Sequence, residues 1–471
     1  MQRRSLLLAG GLVASTALIV WPALSPAQSP PVMATDVPSV KCNMTSDTTP
    51  RGSATPTPVT KDLLTSGLPC QQLVNTTGMF QNRPLDNLQR GFDFYSWLTF
   101  IALNSPADGK TIGEAGPDAR TIWEDHRNYR QLADIMLPNA AKPDWNKAPD
   151  RPAACVGKGG PNDLIVHLEE EAFNQPFKSG PLIDQSGSYA LFDILMNKPM
   201  FDFIANNDLY NRQKQAAFPK PIDFPEGTNT PPTEAKVGAI MLKVSWKILD
   251  PAKDNPADFH TVDALIYFPG EPDTRAGPDC VPKKLGLIGF HAGHKTASAK
   301  QWVWTTFEHV KNVPDEREVK AGTLQPPYHF YNPNCPQCEV NVTPADQPWD
   351  PDTSLKFKGD YRSQVVREKM VPSFVLKEVA DLNKPFREIL KGTVWENYVL
   401  LATQWPSDNK SKTDPLGAPA PTYLANTTLE TYSQGKTPLA SSSCMACHGN
   451  ATTHHVPATA SDFTFILEKA Q

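Results

Sequence analysis

Ile240-Met241-Leu242-Lys243-Val244-Ser245-Trp246-Lys247-Ile248 is the stretch that decides the fold. Its apolar residues at 240, 242, 244, 246 and 248 alternate with Met241, Lys243, Ser245 and Lys247. That period of two sets one face of a strand on a core and leaves the other face polar. Downstream, Val262, Ala264, Ile266 and Phe268 repeat the pattern, and Leu285 to Phe290 gives a third apolar run. Trp395 to Trp405, reading WENYVLLATQW, supplies a late strand. Other stretches read as helices. Phe92 to Leu103, FDFYSWLTFIAL, is apolar nearly all round and predicts a buried helix centred on Trp97. Tyr189 through Met200 and on to Gln215 reads as a second helix that Pro199 should kink or divide. Further helices are expected over Val365 to Val379 and Phe386 to Leu390. Because strands and helices fall in separate runs, the expected class is α+β with a mostly antiparallel sheet.

The 47 prolines among 471 residues point to long ordered loops. Ala217 to Pro232 and Pro406 to Pro421 are the two Pro-rich connectors. Gln2-Arg3-Arg4, the apolar run Leu6 to Val20 and Ser25-Pro26-Ala27 have the three parts of a secretory signal peptide. The expected organisation is a signal peptide over 1–27, a Pro/Ser/Thr-rich leader over 28–60, a main α+β domain over 61–422 and a C-terminal segment over 423–471. Leu6 to Trp21 is short for a transmembrane span, and no later stretch is long and apolar enough for one. The chain is therefore expected in the periplasm or otherwise exported, with no membrane span after signal removal. A formal charge of −5 supplies no basic field for nucleic acid or anionic lipid.

Near the end of the chain stands Cys444-Met445-Ala446-Cys447-His448. A C-x-x-C-H run is the attachment signature of c-type haem, whose vinyl groups take up the two thiols while the imidazole ligates iron. Only residues 449–471 follow, and none is methionine, so a downstream methionine ligand is excluded. Six other cysteines remain: Cys42, Cys70, Cys155, Cys280, Cys335 and Cys338. In an exported chain they imply three disulfides of open connectivity. The competing arrangement joins Cys335-Pro336-Gln337-Cys338 to Cys444 and Cys447 in a four-cysteine zinc site. Glu339 follows Cys338 where a second haem motif would need histidine, so one haem per chain is expected.

The fuller string SSSCMACHGNA resembles the haem-binding segment of the cytochrome c family, specifically large exported mono-haem proteins with a C-terminal motif. The resemblance covers only the last thirty or so residues. It implies haem c bound covalently to Cys444 and Cys447, with His448 as the proximal ligand. So short a segment cannot enclose a porphyrin, so the preceding domain must supply most of the pocket. Thr427-Thr428-Leu429-Glu430 has capping-box spacing and predicts a short helix leading to the motif.

The opposite side of the iron must then be furnished upstream. His454 and His455 lie six and seven residues past His448, a reach of roughly 20 Å at full extension, and read as surface residues. Gly289-Phe290-His291-Ala292-Gly293-His294-Lys295 follows a strand signal, and Trp302, Trp304, Glu308 and His309 come soon after. Three readings of that run stand side by side. One of His291, His294 and His309 serves as a distal ligand or acid/base; all three with Glu308 hold a second metal; or they bond within the fold. Met196 and Met200 are the methionine candidates, although helical spacing suits packing. His126, His167, His260 and His329 read as structural, and Ser441 to Ser443 have no base that would support a hydrolase. The leading expectation is electron transfer with a redox partner protein. Alternatives are a haem-dependent oxidoreductase of peroxidase or oxygenase type acting on a small molecule, and a haem-based sensor.

Overall fold

The computed structural model describes residues 42–43, 58–70, 85–168, 175–176, 179–219, 221–228, 235–269, 278–297, 299–344, 355–357, 359–368, 371, 373–407, 419–434 and 443–471. The expected signal peptide, most of the leader and parts of both Pro-rich connectors lie outside them. In chain order the elements are β1 (Cys42–Asn43), β2 (Leu68–Pro69), α1 (Leu85–Leu103), β3 (Tyr129–Gln131), β4 (Leu164–His167), β5 (Ala190–Asn197), α2 (Lys198–Asn206) and α3 (Arg212–Ala216). They continue with β6 (Ile240–Ile248), β7 (Thr261–Phe268), β8 (Asp279–Thr296), β9 (Ala299–His309), α4 (Glu316–Ala321), α5 (Ser373–Ile389), β10 (Tyr398–Pro406), β11 (Pro419–Ala420) and α6 (Cys444–His448).

β3 to β11 form a nine-stranded sheet with the main order β11-β10-β9-β8-β6-β5-β3. Its pairs are antiparallel except β4 with β7. The protein is thus α+β with a large, mostly antiparallel sheet, as the sequence pattern implies. β8 spans two neighbourhoods, pairing its first half with β7 and its second with β9 while β6 runs along the middle. Leu242, Val244 and Trp246 of β6, Phe290 of β8 and Phe307 of β9 bury one sheet face against α1 and α5. Phe100 of α1 stacks on Phe307 at 4.1 Å, and Trp97 stacks on Phe386 of α5 at 4.8 Å. Full burial of each such side chain contributes about 1.5–3 kcal/mol.

The other face of the same strands is polar. Lys243 pairs with His291, and His291 with Thr306, while Met241, Gly293 and Trp304 form the next row. Residues 424–434 lie across this face. Asn426 donates to Thr306 Oγ1 at 3.0 Å, Thr427 Oγ1 donates to Glu308 Oε2 at 2.8 Å, and the Thr428 and Ser245 hydroxyls meet at 2.8 Å. Gly289 allows that approach, since a Cβ there would stand 2.4 Å from both Ser245 Oγ and Thr428 Oγ1.

Several expected elements differ. Residues 190–197 are strand β5, with nearly every side chain buried, and Pro199 opens α2 rather than kinking a longer helix. β6, expected to be half-buried, is covered on both faces too; it stays legible because one covered face is polar, whereas β5 is apolar at nearly every position and shows no alternation. Val365 to Arg367 are extended, and the helix begins at Ser373 and runs unbroken past Pro385 to Ile389. The late strand starts at Tyr398, after a 3-10 turn over Val394–Asn397. Thr427 starts no helix because its hydroxyl is engaged by Glu308; a 3-10 turn follows at Thr431–Ser433. Among the described residues no helix is long and apolar enough to cross a membrane.

Candidate functional site

Ser443 fixes the single turn of α6 to the sheet. Its Oγ accepts from Ala446 N at 3.3 Å and donates to Gln404 Oε1 of β10 at 3.1 Å, an oxygen that also accepts from Met445 N at 2.8 Å. Met445 is fully buried in an apolar cluster with Trp302, Trp304 and Leu467. With the intervening residues turned inward, Cys444, Cys447 and His448 line a cavity of about 390 Å³ against the polar sheet face. Both thiols are free. Residues from the C-terminal segment and from the sheet strands thus line one cavity.

The His448 ring is held on three sides. Its Nδ1 lies 2.9 Å from the Phe463 carbonyl oxygen, which can only accept, so Nδ1 carries the proton and Nε2 keeps its lone pair. Trp304 and Phe465 flank it at 4.5 and 5.3 Å between ring centroids. Burial lowers its pKa to about 4 against the opposing pull of the Phe463 carbonyl, so the imidazole is neutral at neutral pH. Burial also pushes the Cys447 thiol up to about 12, with Glu430 acting in the same direction, and drives Cys444 well above the usual thiol range. Neither sulfur is a thiolate at neutral pH, which argues against a nucleophilic cysteine in this state.

The rest of the wall includes Met241, Lys243 and His291 from the sheet, Glu430 from the covering strap, Leu132, Ile194 and Ile466. His291 Nε2 is buried with no hydrogen-bond partner among the described residues. It stands 3.6 Å from Glu430 Oε2, too far for a hydrogen bond. Burial and the Lys243 cation take the His291 pKa down to about 3, so this contact is not an ion pair. Burial raises Glu430 to about 7 against the pull of Lys243. Lys243 is itself lowered by burial, and its ammonium sits 5.3 Å over the Phe192 ring.

Of the run containing three histidines, only His291 faces the cavity. His291 and His294 lie inside β8 rather than beyond the end of a strand. His294 points to the opposite face, with Nδ1 against Tyr95 Oη of α1 and Nε2 against the Val237 carbonyl. His309 bonds the Asp258 carbonyl at 2.9 Å and stacks on Phe259 at 4.7 Å. Glu308 is taken by Thr427 and Arg367. The side chains expected to hold a second metal are thus dispersed, and no group of three or more potential ligands occurs among the described residues. Met196 and Met200 are packed in the apolar cluster, apart from the cavity wall. His454 and His455 bond backbone carbonyls of Glu468 and Pro457. His260 bonds Glu124 at 2.6 Å, His329 meets Asn312 at 3.1 Å, and His167 packs edge-on to Tyr267. His126 lies apart from the cavity wall.

Cys155–Cys280 and Cys335–Cys338 are disulfides, and Cys70 is disulfide-bonded as well. The second bond consumes both sulfurs that a zinc site shared with Cys444 and Cys447 would need. Met241, Lys243 and Glu430 are among the cavity residues that sequence reasoning passed over. The signal for Met241 and Lys243 was their place on the polar face of β6, a face that something had to cover.

No protein-family model, curated protein or solved structure matches this chain.

Proposed function

We propose that this protein is an exported mono-haem c-type cytochrome that passes electrons to or from a redox partner protein. The observation that carries the reading is the setting of His448. Its Nδ1 is anchored on a backbone carbonyl and its bare Nε2 belongs to a ring lining the same cavity as two free thiols in C-x-x-C spacing. An outer hydrogen bond of this kind fixes the tautomer of a metal-binding imidazole. In this reading Cys444 and Cys447 attach haem c and His448 ligates its iron; the bound group supplies a one-electron couple. Trp304 and Phe465 hold the imidazole plane, Leu132, Ile194 and Ile466 exclude water, and Lys243 sets a positive charge in the wall.

The unpaired His291 Nε2 beside Glu430 supports a second reading, a haem-dependent oxidoreductase with an exchangeable distal position. One preparation tests both. Protein matured in a host able to attach haem should carry one covalent haem by mass; stoichiometric zinc without haem would overturn the cytochrome reading. Low-spin ferric iron indifferent to cyanide and carbon monoxide is the carrier's outcome. High-spin iron that binds either ligand would replace it with the second reading.

A further inference from the structure

Cys335-Pro336-Gln337-Cys338 has no part in the cavity, yet it carries chemistry of its own. We propose that the Cys335–Cys338 disulfide is a redox-active pair that exchanges with a protein dithiol, while Cys155–Cys280 is a permanent structural bond.

The contrast between the two bonds begins with loop length. Cys155 and Cys280 are 125 residues apart, whereas Cys335 and Cys338 are three apart. A cross-link constrains the unfolded chain in proportion to the logarithm of the loop it closes, so the short one adds the smaller stabilisation. Burial separates them too. Cys155 and Cys280 are 0% and 1% exposed and pack with Leu265 in their own apolar cluster. Cys338 is exposed and Cys335 half-buried, so this bond is accessible from solvent where Cys155–Cys280 is not.

The loop also keeps its shape by other means. The Gln364 side chain accepts from Asn332 N and donates to Asn332 O, both at 2.9 Å, and reaches Cys335 O at 3.4 Å. On the far side Asn341 N donates to Gln364 O at 2.8 Å, while the Asn341 amide exchanges bonds with Val366 N and O. Opening the disulfide therefore leaves both ends of the loop pinned. Exposed disulfides of this kind are the labile or catalytic ones.

Exposed apolar residues also stand close to the pair in sequence. Among the described residues four large apolar side chains are exposed, and two of them, Val340 (36%) and Val342 (40%), lie two and four residues after Cys338. With exposed Pro336 they offer an apolar contact to a partner that presents its own thiol next to an apolar groove. The exchange balances without a further reagent. A thiolate of the partner attacks Cys338 Sγ, the S–S bond breaks, and Cys335 leaves as a thiolate that takes up a proton. The partner's second thiol then displaces Cys338 from the mixed disulfide. Two electrons and two protons pass to the pair, and the partner is left oxidised.

The test holds the full-length protein, folded, in a graded series of dithiothreitol, then alkylates it and maps the label by mass spectrometry. Cys335 and Cys338 should label at a reductant concentration at least ~10-fold below that which opens Cys155–Cys280, with the far-UV circular dichroism unchanged. Simultaneous opening of both pairs, or labelling of Cys335 and Cys338 only as the fold is lost, would overturn the proposal. A thioredoxin-fold dithiol protein lacking its resolving cysteine should form a mixed disulfide at Cys338. The C335S/C338S double variant should keep the fold and form none. An adduct mapped to Cys155 or Cys280, or no adduct at all, sinks the assignment.

Discussion

The His448 imidazole lies against the Trp304 indole, with ring centroids 4.5 Å apart and planes inclined at 44°. Trp304 belongs to β9, and its Nε1 donates to the Gln301 carbonyl at 2.9 Å, so the indole is oriented from the sheet. The Phe463 carbonyl orients the imidazole from the C-terminal segment. The direction of the His448 lone pair is therefore set jointly by the main sheet and the tail.

Replacing Trp304 should disturb both stability and the site. Trp304→Ala empties a buried volume between β9, α6 and the tail, and a Trp→Ala change in such a place costs about 3–5 kcal/mol. Trp304→Phe keeps an aromatic wall and should cost less. Urea unfolding midpoints rank the two. In haem-loaded protein, Trp304→Ala should also alter the absorption bands that report histidine ligation, and unchanged bands would show that the tail holds His448 unaided.

The three histidines of the β8–β9 region should separate cleanly. His291→Ala should change the ferric electron paramagnetic resonance of haem-loaded protein, because only His291 of the three lines the cavity. His294→Ala and His309→Ala should leave that spectrum alone while lowering the unfolding midpoint, since their ring nitrogens are engaged by Val237 and Asp258 carbonyls. Met241→Leu tests the methionine on the same wall. A spectrum altered by Met241→Leu and untouched by His291→Ala would point to Met241 rather than His291 as the wall residue that acts on the haem.

What could be read from the sequence divides along the range of the interactions. β6 was legible because one of its faces is apolar and the other polar, and the α+β class followed from it. β5 was not, because ALFDILMN is apolar on both of its faces and shows no alternation, although β6 is buried just as fully. The thiols and His448 were legible because five contiguous residues carry their chemistry. Lys243 and Glu430 were not, since they meet only when residues 424–434 fold across β6 and β8. Gly289 opens the run that holds His291 and His294. Its role is steric, making room for Thr428 against Ser245.

The Cys155–Cys280 bond should dominate the disulfide contribution to stability. Replacing both cysteines by serine releases a loop spanning 125 residues and is expected to cost about 4–5 kcal/mol. Chemical unfolding of the C155S/C280S variant under oxidising conditions measures it. A loss no larger than that of C335S/C338S would contradict the loop-length argument.

Asp93 gives the fold a dependence on pH that a single isosteric change isolates. It lies on α1, fully buried, and its Oδ1 accepts from Gln89 Nε2 at 2.9 Å and from Thr403 N of β10 at 2.8 Å. Its Oδ2 has no hydrogen-bond partner among the described residues, the position a proton would occupy. Burial raises the carboxyl to about 7 against these hydrogen bonds, with Glu378 adding to the rise. An unfolded aspartate titrates near ~3.9. Between those values the folded state holds a proton that the unfolded state has released, so the stabilisation is complete below about pH 4 and is lost as the pH rises through about 7. Asp93→Asn cannot titrate. Relative to that variant, the wild type should lose stability as the pH rises from about 4 to about 8. Burial shifts Asp134 and Asp193 upward as well, but both proteins carry them, so the difference between the two unfolding curves reports Asp93 alone. A difference that stays constant from about pH 4 to 8 would show that Asp93 does not hold the proton.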